Sequence, residues 1–127
     1  MNDIKVMKSP FLMCNIKHTP SYLPPYSFVI SMQKKLTLIC PADDVPIEAN
    51  RIYDTFSCFV LEECTTDKVI KSTNEFSSVL AGADIDMTLV LVNTTAYIFV
   101  KADDAMQTII HLSSMGYDVK YRDLFEE

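Results

Sequence analysis

Residues 85–101 read IDMTLVLVNTTAYIFVK and carry the clearest structural signal of the chain. Apolar, β-branched and aromatic side chains dominate both halves of this stretch, which predicts strands over residues 85–92 and 96–101. The polar triplet Asn93-Thr94-Thr95 separates them and predicts a three-residue hairpin loop. The stretch therefore predicts a β-hairpin, which makes a β-sheet part of the fold.

A helix and a further strand are predicted after this hairpin. Asp103 and Asp104 open a segment in which apolar residues recur at helical spacing. Gly116 is placed where that helix needs a left-handed residue to end. Residues 117–122 then alternate aromatic or apolar side chains with charged ones. This alternation predicts a half-exposed strand at a sheet edge, where the charges protect it from unwanted pairing.

Two more helices are predicted before the hairpin. The sequence DDVP at residues 43–46 combines acidic cap residues with a proline in the first turn, and apolar residues follow at helical spacing as far as Phe56. Further along, Ser72 and Glu75 have the spacing of a capping box and predict the start of the next helix. Gly82 is expected to close that helix as a left-handed cap.

Three strands are predicted around the first of these helices. Residues 26–32 and 35–40 are rich in strand-forming side chains, and Gln33-Lys34 between them predicts a turn. Residues 57–63 form a short apolar run of strand length. The complete order of elements is therefore β-β-α-β-α-β-β-α-β.

This order predicts an α+β fold. We expect a mixed or mainly antiparallel sheet of about five to six strands with helices on one face. All six prolines lie in the first 46 residues, which predicts an irregular, extended N-terminal arm over residues 1–25 and a single domain over residues 26–127. The last β-β-α-β unit has the element order of small ligand-binding regulatory domains, a likeness of order alone.

Glycine is scarce, because the 127 residues include only Gly82 and Gly116. Phosphate-binding loops need several glycines at fixed spacing, so the composition excludes the dinucleotide and nucleotide loops of this kind. Both glycines already have a predicted structural role at a helix end. We therefore expect no nucleotide cofactor.

The charge of the chain is unevenly distributed. The formal net charge is −6, but residues 1–40 carry five lysines against one aspartate, and residues 41–127 carry six basic and sixteen acidic side chains. An acidic body repels nucleic-acid phosphates, whereas it speeds association with a basic protein. No apolar stretch reaches the roughly 18 residues of a membrane span. We expect a basic protein partner, no nucleic acid and no membrane.

The thiols and imidazoles do not form a metal-binding pattern. Only His18 and His111 are available as histidine ligands, and the spacings of the four cysteines match no zinc motif; these are Cys14, Cys40, Cys58 and Cys64. The N-terminal segment lacks the apolar core of a secretory signal. We therefore expect reduced, mostly buried cysteines in a cytoplasmic protein with no metal or other cofactor.

The candidate partner-binding residues are acidic and aromatic. Tyr117 and Tyr121 share one face of the last predicted strand, and such a face contacts either a partner or the core. Two acidic pairs precede predicted helices, where they can cap free N–H groups, bind a basic partner or, if they meet in space, hold Mg²⁺; the pairs are Asp43 with Asp44 and Asp103 with Asp104.

Taken together, these features favour a small acidic protein without enzymatic activity that acts by protein–protein binding. An inhibitor, a regulator, or an immunity-type or mobile-element protein fits this pattern. One alternative is a small-molecule-binding regulatory domain that forms a homodimer through an edge strand such as residues 117–122. The other is a magnesium-dependent enzyme that uses Asp44 and Asp104 with their neighbouring aspartates. His111, which lies mid-helix among apolar residues, is expected at the helix surface or at the rim of the core rather than in a catalytic site.

Overall fold

A computed structural model describes residues 3–44 and 51–122, which form an α+β fold with eight strands and two helices. The strands pair mainly antiparallel, as predicted, but they are more numerous than the sequence indicates. The elements in chain order are β1 (Asp3–Met7), β2 (Phe11–Ile16), β3 (Phe28–Met32), β4 (Lys35–Pro41), β5 (Arg51–Glu62), α1 (Thr66–Gly82), β6 (Thr88–Val92), β7 (Thr95–Lys101), α2 (Ala105–Ser114) and β8 (Asp118–Arg122). Single 3₁₀ turns occupy Ala42–Asp44 and Ala102–Asp104.

The chain divides into two compact units, and β5 contributes to both. The first unit comprises Met1–Lys8 and Ser57–Glu127, and the second comprises Ser9–Phe56. In the first unit the strands follow the spatial order β6-β7-β5-β1-β8. β1 runs antiparallel to β5, with Lys5 opposite Val60, and parallel to β8.

Both helices of the first unit pack against the same face of its strands. Alternate strand residues point toward the helices, as the two-residue period of a strand requires. Phe59 of β5 and Phe76 of α1 meet edge to face, with ring centroids 5.9 Å apart and an interplanar angle of 66°. The buried residues of this cluster are Ile4, Val6, Phe59, Leu61, Val69, Phe76, Leu80, Ile85, Ala96, Ile98, Val100 and Leu112.

The opposite face is buried as well at β5 and β7, which are inner strands of this sheet. Cys58, Val60 and Phe99 alternate with the helix-facing residues, and each is at most 3% exposed. A sheet that is buried on both faces has continuous apolar strands rather than strict alternation. This explains why the segment FVLEE at residues 59–63 and its neighbours give a short apolar run instead of an amphipathic strand pattern.

The second unit consists of antiparallel strands in the order β3-β4-β2-β5. Its described buried cluster contains Cys14, Ile16, Leu38 and Cys40. β2 pairs with β4 over its whole length, from Phe11 opposite Pro41 to Ile16 opposite Leu36. The turn between β3 and β4 lies at Gln33-Lys34, as predicted, and both residues have positive φ, at 49° and 67°.

Two expectations about the first half of the chain are wrong. Residues 1–25 are not uniformly irregular, because β1 and β2 lie within them. The helix expected to start at residue 43 and reach Phe56 is absent from its described part, since Arg51–Phe56 belong to β5 and pair with β2. Residues 45–50 lie outside the described part of the chain. The division of the chain at residue 25 stays a prediction.

The strand replaces the expected helix because pairing decides the conformation. The segment IYDTF at residues 52–56 is rich in β-branched and aromatic side chains, which fit a pleated surface. Its apolar spacing also matches a helical face, so the local pattern is ambiguous. β2 supplies the long-range hydrogen-bonding partner that favours the strand.

The helix ends also differ from the predicted capping scheme. α1 begins at Thr66, and its N-cap is Thr65 rather than Ser72; the Thr65 side-chain oxygen accepts a hydrogen bond from the Lys68 N–H at 3.2 Å. Ser72 lies inside the helix and donates to Glu63 Oε2 at 2.6 Å. Gly82 is helical, and the left-handed residue after α1 is Asp84, with φ 59°. Gly116, with φ 95°, does take the predicted left-handed conformation.

The hairpin predicted over residues 85–101 is confirmed with a shorter loop. β6 and β7 pair antiparallel from Thr88 opposite Phe99 to Val92 opposite Thr95. The loop therefore contains two residues rather than three. Asn93 takes a positive φ of 56°, which asparagine tolerates better than most residues.

Candidate functional site: a groove between the two helices

An open groove with a volume of about 730 Å³ lies between α1 and α2 in the first unit. One wall comes from α1, where Glu75, Val79 and Ala83 follow one another at four-residue spacing and therefore share a helix face. The facing wall comes from the end of α2 and the residues after it, including His111, Met115 and Tyr117. The groove thus combines apolar side chains with a few polar groups, which is the usual character of a ligand site.

The end of α2 brings Tyr117 to the groove. The Gly116 N–H donates to the Ser113 carbonyl and the Tyr117 N–H donates to the Leu112 carbonyl, both at 3.1 Å. These two bonds form a Schellman motif, which requires a left-handed residue at the position of Gly116. The motif reverses the chain, so that Tyr117 packs against the core cluster before β8 begins.

The polar centre of the groove is a tyrosine–carboxylate contact. The Tyr117 hydroxyl donates a hydrogen bond to Glu75 Oε2 at 3.1 Å. Burial raises the pKa of Tyr117, and the hydrogen bond to Glu75 and the negative charges of Glu75 and Glu63 raise it further. Tyr117 therefore stays protonated and donating at neutral pH, with Glu75 as the acceptor.

We expect Tyr117 to make stability more sensitive to alkaline pH. Because its pKa is higher in the folded chain than in the unfolded chain, its contribution is complete below the ordinary value of 10.0 and is lost as pH rises through the raised value. Tyr117→Phe should therefore show a shallower loss of unfolding free energy above pH 10.0, measured by urea unfolding at several pH values. Glu75→Gln removes the Glu75 charge but leaves Tyr117 buried, so it should keep the part of the pH dependence that burial of Tyr117 causes. Equal slopes in wild type and Tyr117→Phe would contradict this assignment.

His111 completes the polar side of the groove. It is half-buried in the last turns of α2, and its main-chain carbonyl accepts a hydrogen bond from Ser114 Oγ at 2.7 Å. The sequence predicts this residue at the helix surface or at the rim of the core, and the structure shows that it lines the groove.

The two candidate tyrosines have different environments. Tyr117 is half-buried in the groove, whereas Tyr121 is 57% exposed on β8. Only Tyr117 packs against the core cluster. The predicted common face of the two residues therefore divides into a core-side part and an open part.

The candidate aspartates lie on the two 3₁₀ turns. Asp43 and Asp44 are exposed in the second unit, and in the first unit Asp103 is exposed and Asp104 half-buried. Asp104 occupies the N-cap position of α2, but its side chain makes no capping hydrogen bond, and its main-chain carbonyl accepts from Thr108 Oγ1 at 2.8 Å. The prediction that the Asp104 side chain caps α2 through a hydrogen bond is therefore wrong.

The remaining chemistry-bearing residues are mostly buried thiols. Cys14, Cys40 and Cys58 are buried and Cys64 is exposed. Burial, together with the nearby Cys14 and Asp44, raises the pKa of Cys40 to about 12, so this thiol is a poor nucleophile at neutral pH. Within residues 3–44 and 51–122, no three His, Cys, Asp or Glu side chains are grouped so as to hold a metal ion. In the same residues no helix is both long and apolar enough to cross a membrane.

Glu75 is the site residue that the sequence analysis misses. The sequence assigns it to a capping box with Ser72, whereas it lies in the middle of α1 and faces the groove. The available signal was its four-residue spacing to Val79 and Ala83. That spacing does not identify the partner, because Tyr117 is 42 residues away in the chain.

Comparison with known proteins shows the fold. No family model matches the chain, and no curated protein does. Among solved structures, it is similar to the protein Atu0741 from Agrobacterium tumefaciens, with 16% identity, a TM-score of 0.81 and coverage of 95% of this chain and 93% of that chain. It is also similar to VC0802 from Vibrio cholerae, described as a protein of unknown function and possible transport protein, with 20% identity, a TM-score of 0.70 and coverage of 87% and 86%. At 16% and 20% identity, the similarity shows the fold alone.

Proposed function

We propose that this protein is a binding protein without enzymatic activity, whose groove between α1 and α2 takes a small organic cation with an apolar body. The observation that carries the proposal is the contact of Tyr117 with Glu75 inside the groove. A carboxylate accepts charge-assisted hydrogen bonds, and it still has acceptor positions beyond the one that Tyr117 uses.

The shape and charge of the groove support a cationic ligand of moderate size. Its volume of about 730 Å³ is within the usual range for small-molecule sites. Val79, Ala83 and Met115 offer apolar contact, and Met115 can adjust its shape to different ligands. Glu75 is the acidic side chain of the lining, and the chain as a whole has a net charge of −6. Both charges attract a protonated amine.

The test compares three probes of one shape and different charge. Benzylamine, benzyl alcohol and benzoate are titrated separately against the folded protein, with binding followed by thermal shift and calorimetry. We expect benzylamine to bind best. Glu75→Gln should weaken benzylamine binding by about threefold to tenfold, since the Glu75 side chain is exposed and solvent screens its charge. Asp86→Asn is the matched control, because it removes one exposed carboxylate outside the groove.

Two results would overturn the proposal. One is a screen of organic amines in which none binds. The other is benzylamine binding that Glu75→Gln leaves unchanged, because the carboxylate would then have no part in recognition. Equal weakening by Glu75→Gln and Asp86→Asn would count against the groove too, since it would report only the net charge of the chain.

A second candidate function is the binding of a basic protein, which the sequence favours. Its support in the described residues is the exposed aromatic ring of Tyr121 on β8 and the exposed carboxylates of Asp43, Asp44 and Asp103. Association of this kind speeds up at low salt and is screened by added salt. If a captured basic protein stayed bound when salt was added, the result would contradict this second candidate function.

A further inference from the structure

The strand β6 lies at an edge of the first unit's sheet. It pairs with β7 over its five residues in an unbroken register, and residues 3–44 and 51–122 provide no second partner strand for it. Such an edge presents N–H and C=O groups that are free to pair with another strand. The other edge of this sheet is β8, which pairs with β1.

The two edges differ in how they are protected. β8 has the sequence DVKYR, and its charged side chains oppose pairing with another chain. β6 has the sequence TLVLV, which contains no charge and no proline, and its pairing with β7 shows no bulge. Three large apolar side chains of β6 are also exposed, namely Leu89 at 39%, Leu91 at 40% and Val92 at 44%.

The exposed leucines of β6 continue the core. Leu89 lies opposite Ile98 and Leu91 lies opposite Ala96, and both of these β7 residues belong to the buried cluster under the helices. Cross-strand neighbours point to the same face of a sheet. The helix-facing apolar surface therefore extends onto β6, where it is left partly open to solvent.

The sequence of β6 is complementary to itself. When two copies pair antiparallel about Val90, Leu89 of each copy lies opposite Leu91 of the other, and Thr88 lies opposite Val92. This reciprocity is what a two-fold symmetric interface requires. The charges agree with it, because residues 87–95 are uncharged and Asp86 would face Thr94 rather than another carboxylate. Two copies with a net charge of −6 can therefore meet along this strand without opposing like charges.

We propose that β6 is the contact strand of a homodimer, in which two copies pair antiparallel about Val90 and extend the sheet across the two-fold axis. Five paired residues bury less than the roughly 1,200 Å² of a standard interface, so the dimer should be reversible, with a dissociation constant of about micromolar order. This edge is distinct from the groove and from the charged edge strand 117–122 that the sequence suggests for dimerisation.

The test uses the register of the proposed pair. The double variant Leu89→Lys with Leu91→Lys places lysine opposite lysine twice, and it should weaken association at least tenfold. The double variant Leu89→Lys with Leu91→Glu places lysine opposite glutamate twice, and it should dimerise better than the double-lysine variant. Met106→Lys, at an α2 side chain that is 62% exposed, should leave association unchanged.

Sedimentation velocity between about 1 and 100 μM measures association of each variant. Hydrogen exchange of the β6 amides should slow as the wild-type concentration rises, and circular dichroism confirms that each variant is folded. Wild-type protein that stays monomeric over this concentration range overturns the proposal. The β6 edge would then be available to pair with an extended segment of a different protein. The proposal is also overturned if the double-lysine variant dimerises as strongly as wild type, or if the two double variants dimerise equally.

Discussion

Phe76→Ala is expected to lower the free energy of unfolding by about 3–5 kcal/mol. Phe76 is fully buried in α1 and packs edge to face on Phe59 of β5, at a centroid distance of 5.9 Å. Truncation removes the transfer free energy of the ring and leaves a cavity that the surrounding strands fill only in part. The effect is large because this ring joins the helix layer to the sheet of the first unit.

Urea unfolding followed by circular dichroism measures this effect, and the same helix supplies its control. Ile70 also lies on α1, but it is 44% exposed, so Ile70→Ala should cost less than about 1 kcal/mol. A loss of similar size for the two variants would mean that Phe76 does not anchor the helix to the sheet.

A double-mutant cycle separates the ring pair from the rest of the core. The single variants Phe59→Ala and Phe76→Ala are each compared with the double variant. Edge-to-face pairs contribute about 0.5–1.5 kcal/mol beyond the area that they bury, so the combined loss should be smaller than the sum by about that amount. Simple additivity would show that the rings stabilise the fold independently of each other.

The sequence predicts the elements whose pattern is local. β6, β7, α2 and β8 were all expected, because hairpin chemistry, helical spacing and the glycine at residue 116 agree with one another over a short stretch. The α+β class follows from these same elements. The complete predicted order also includes a helix from residue 43 to Phe56 that is absent from the described residues, but the later elements already combine strands with a helix.

The sequence does not predict strands that depend on distant partners. β1 pairs with β5 and β8, more than 50 and 110 residues away, and β5 pairs with β2. Strand formation is governed by such contacts more than by local preference. The spacing in residues 51–56 fits a helix and a strand equally, and only the long-range pairing resolves it.

The candidate site illustrates the same limit. Tyr117 is a candidate because it shares a face of the predicted edge strand 117–122 with Tyr121, whereas the local pattern assigns its partner Glu75 a capping role. A capping box is a four-residue pattern, and α1 already has a cap at Thr65. The groove depends on how two helices pack, which no short pattern records.

The two glycines should respond in opposite directions to the same substitution. Gly116→Ala should lower the free energy of unfolding by about 1–2 kcal/mol, because a φ of 95° is unfavourable for a residue with a Cβ. Gly82→Ala should raise it by about 0.5–1 kcal/mol, because Gly82 is helical and alanine favours the helix.

Side-chain crowding cannot explain this difference in sign. Apart from atoms of its chain neighbours and of the adjoining helix backbone, a Cβ added at Gly82 or at Gly116 meets no heavy atom within 4 Å, so both changes act through backbone conformation. Asp84 offers a third comparison, because it holds the left-handed position after α1 with the same pair of hydrogen bonds, from Asp84 to Ala81 and from Ile85 to Leu80. Asp84→Gly should therefore stabilise the fold by about 0.5 kcal/mol.

Urea midpoints of the three variants, compared at a common slope, give the three changes in free energy. The expected order of stability is Gly82→Ala and Asp84→Gly above wild type, and Gly116→Ala below it. Equal losses for both alanine variants would contradict the backbone explanation, since they would mean that the two helix ends need glycine for the same reason. If only Gly116→Ala lowers the free energy of unfolding, the end of α2 depends on a left-handed residue at position 116. The position of Tyr117 in the groove then depends on the same residue.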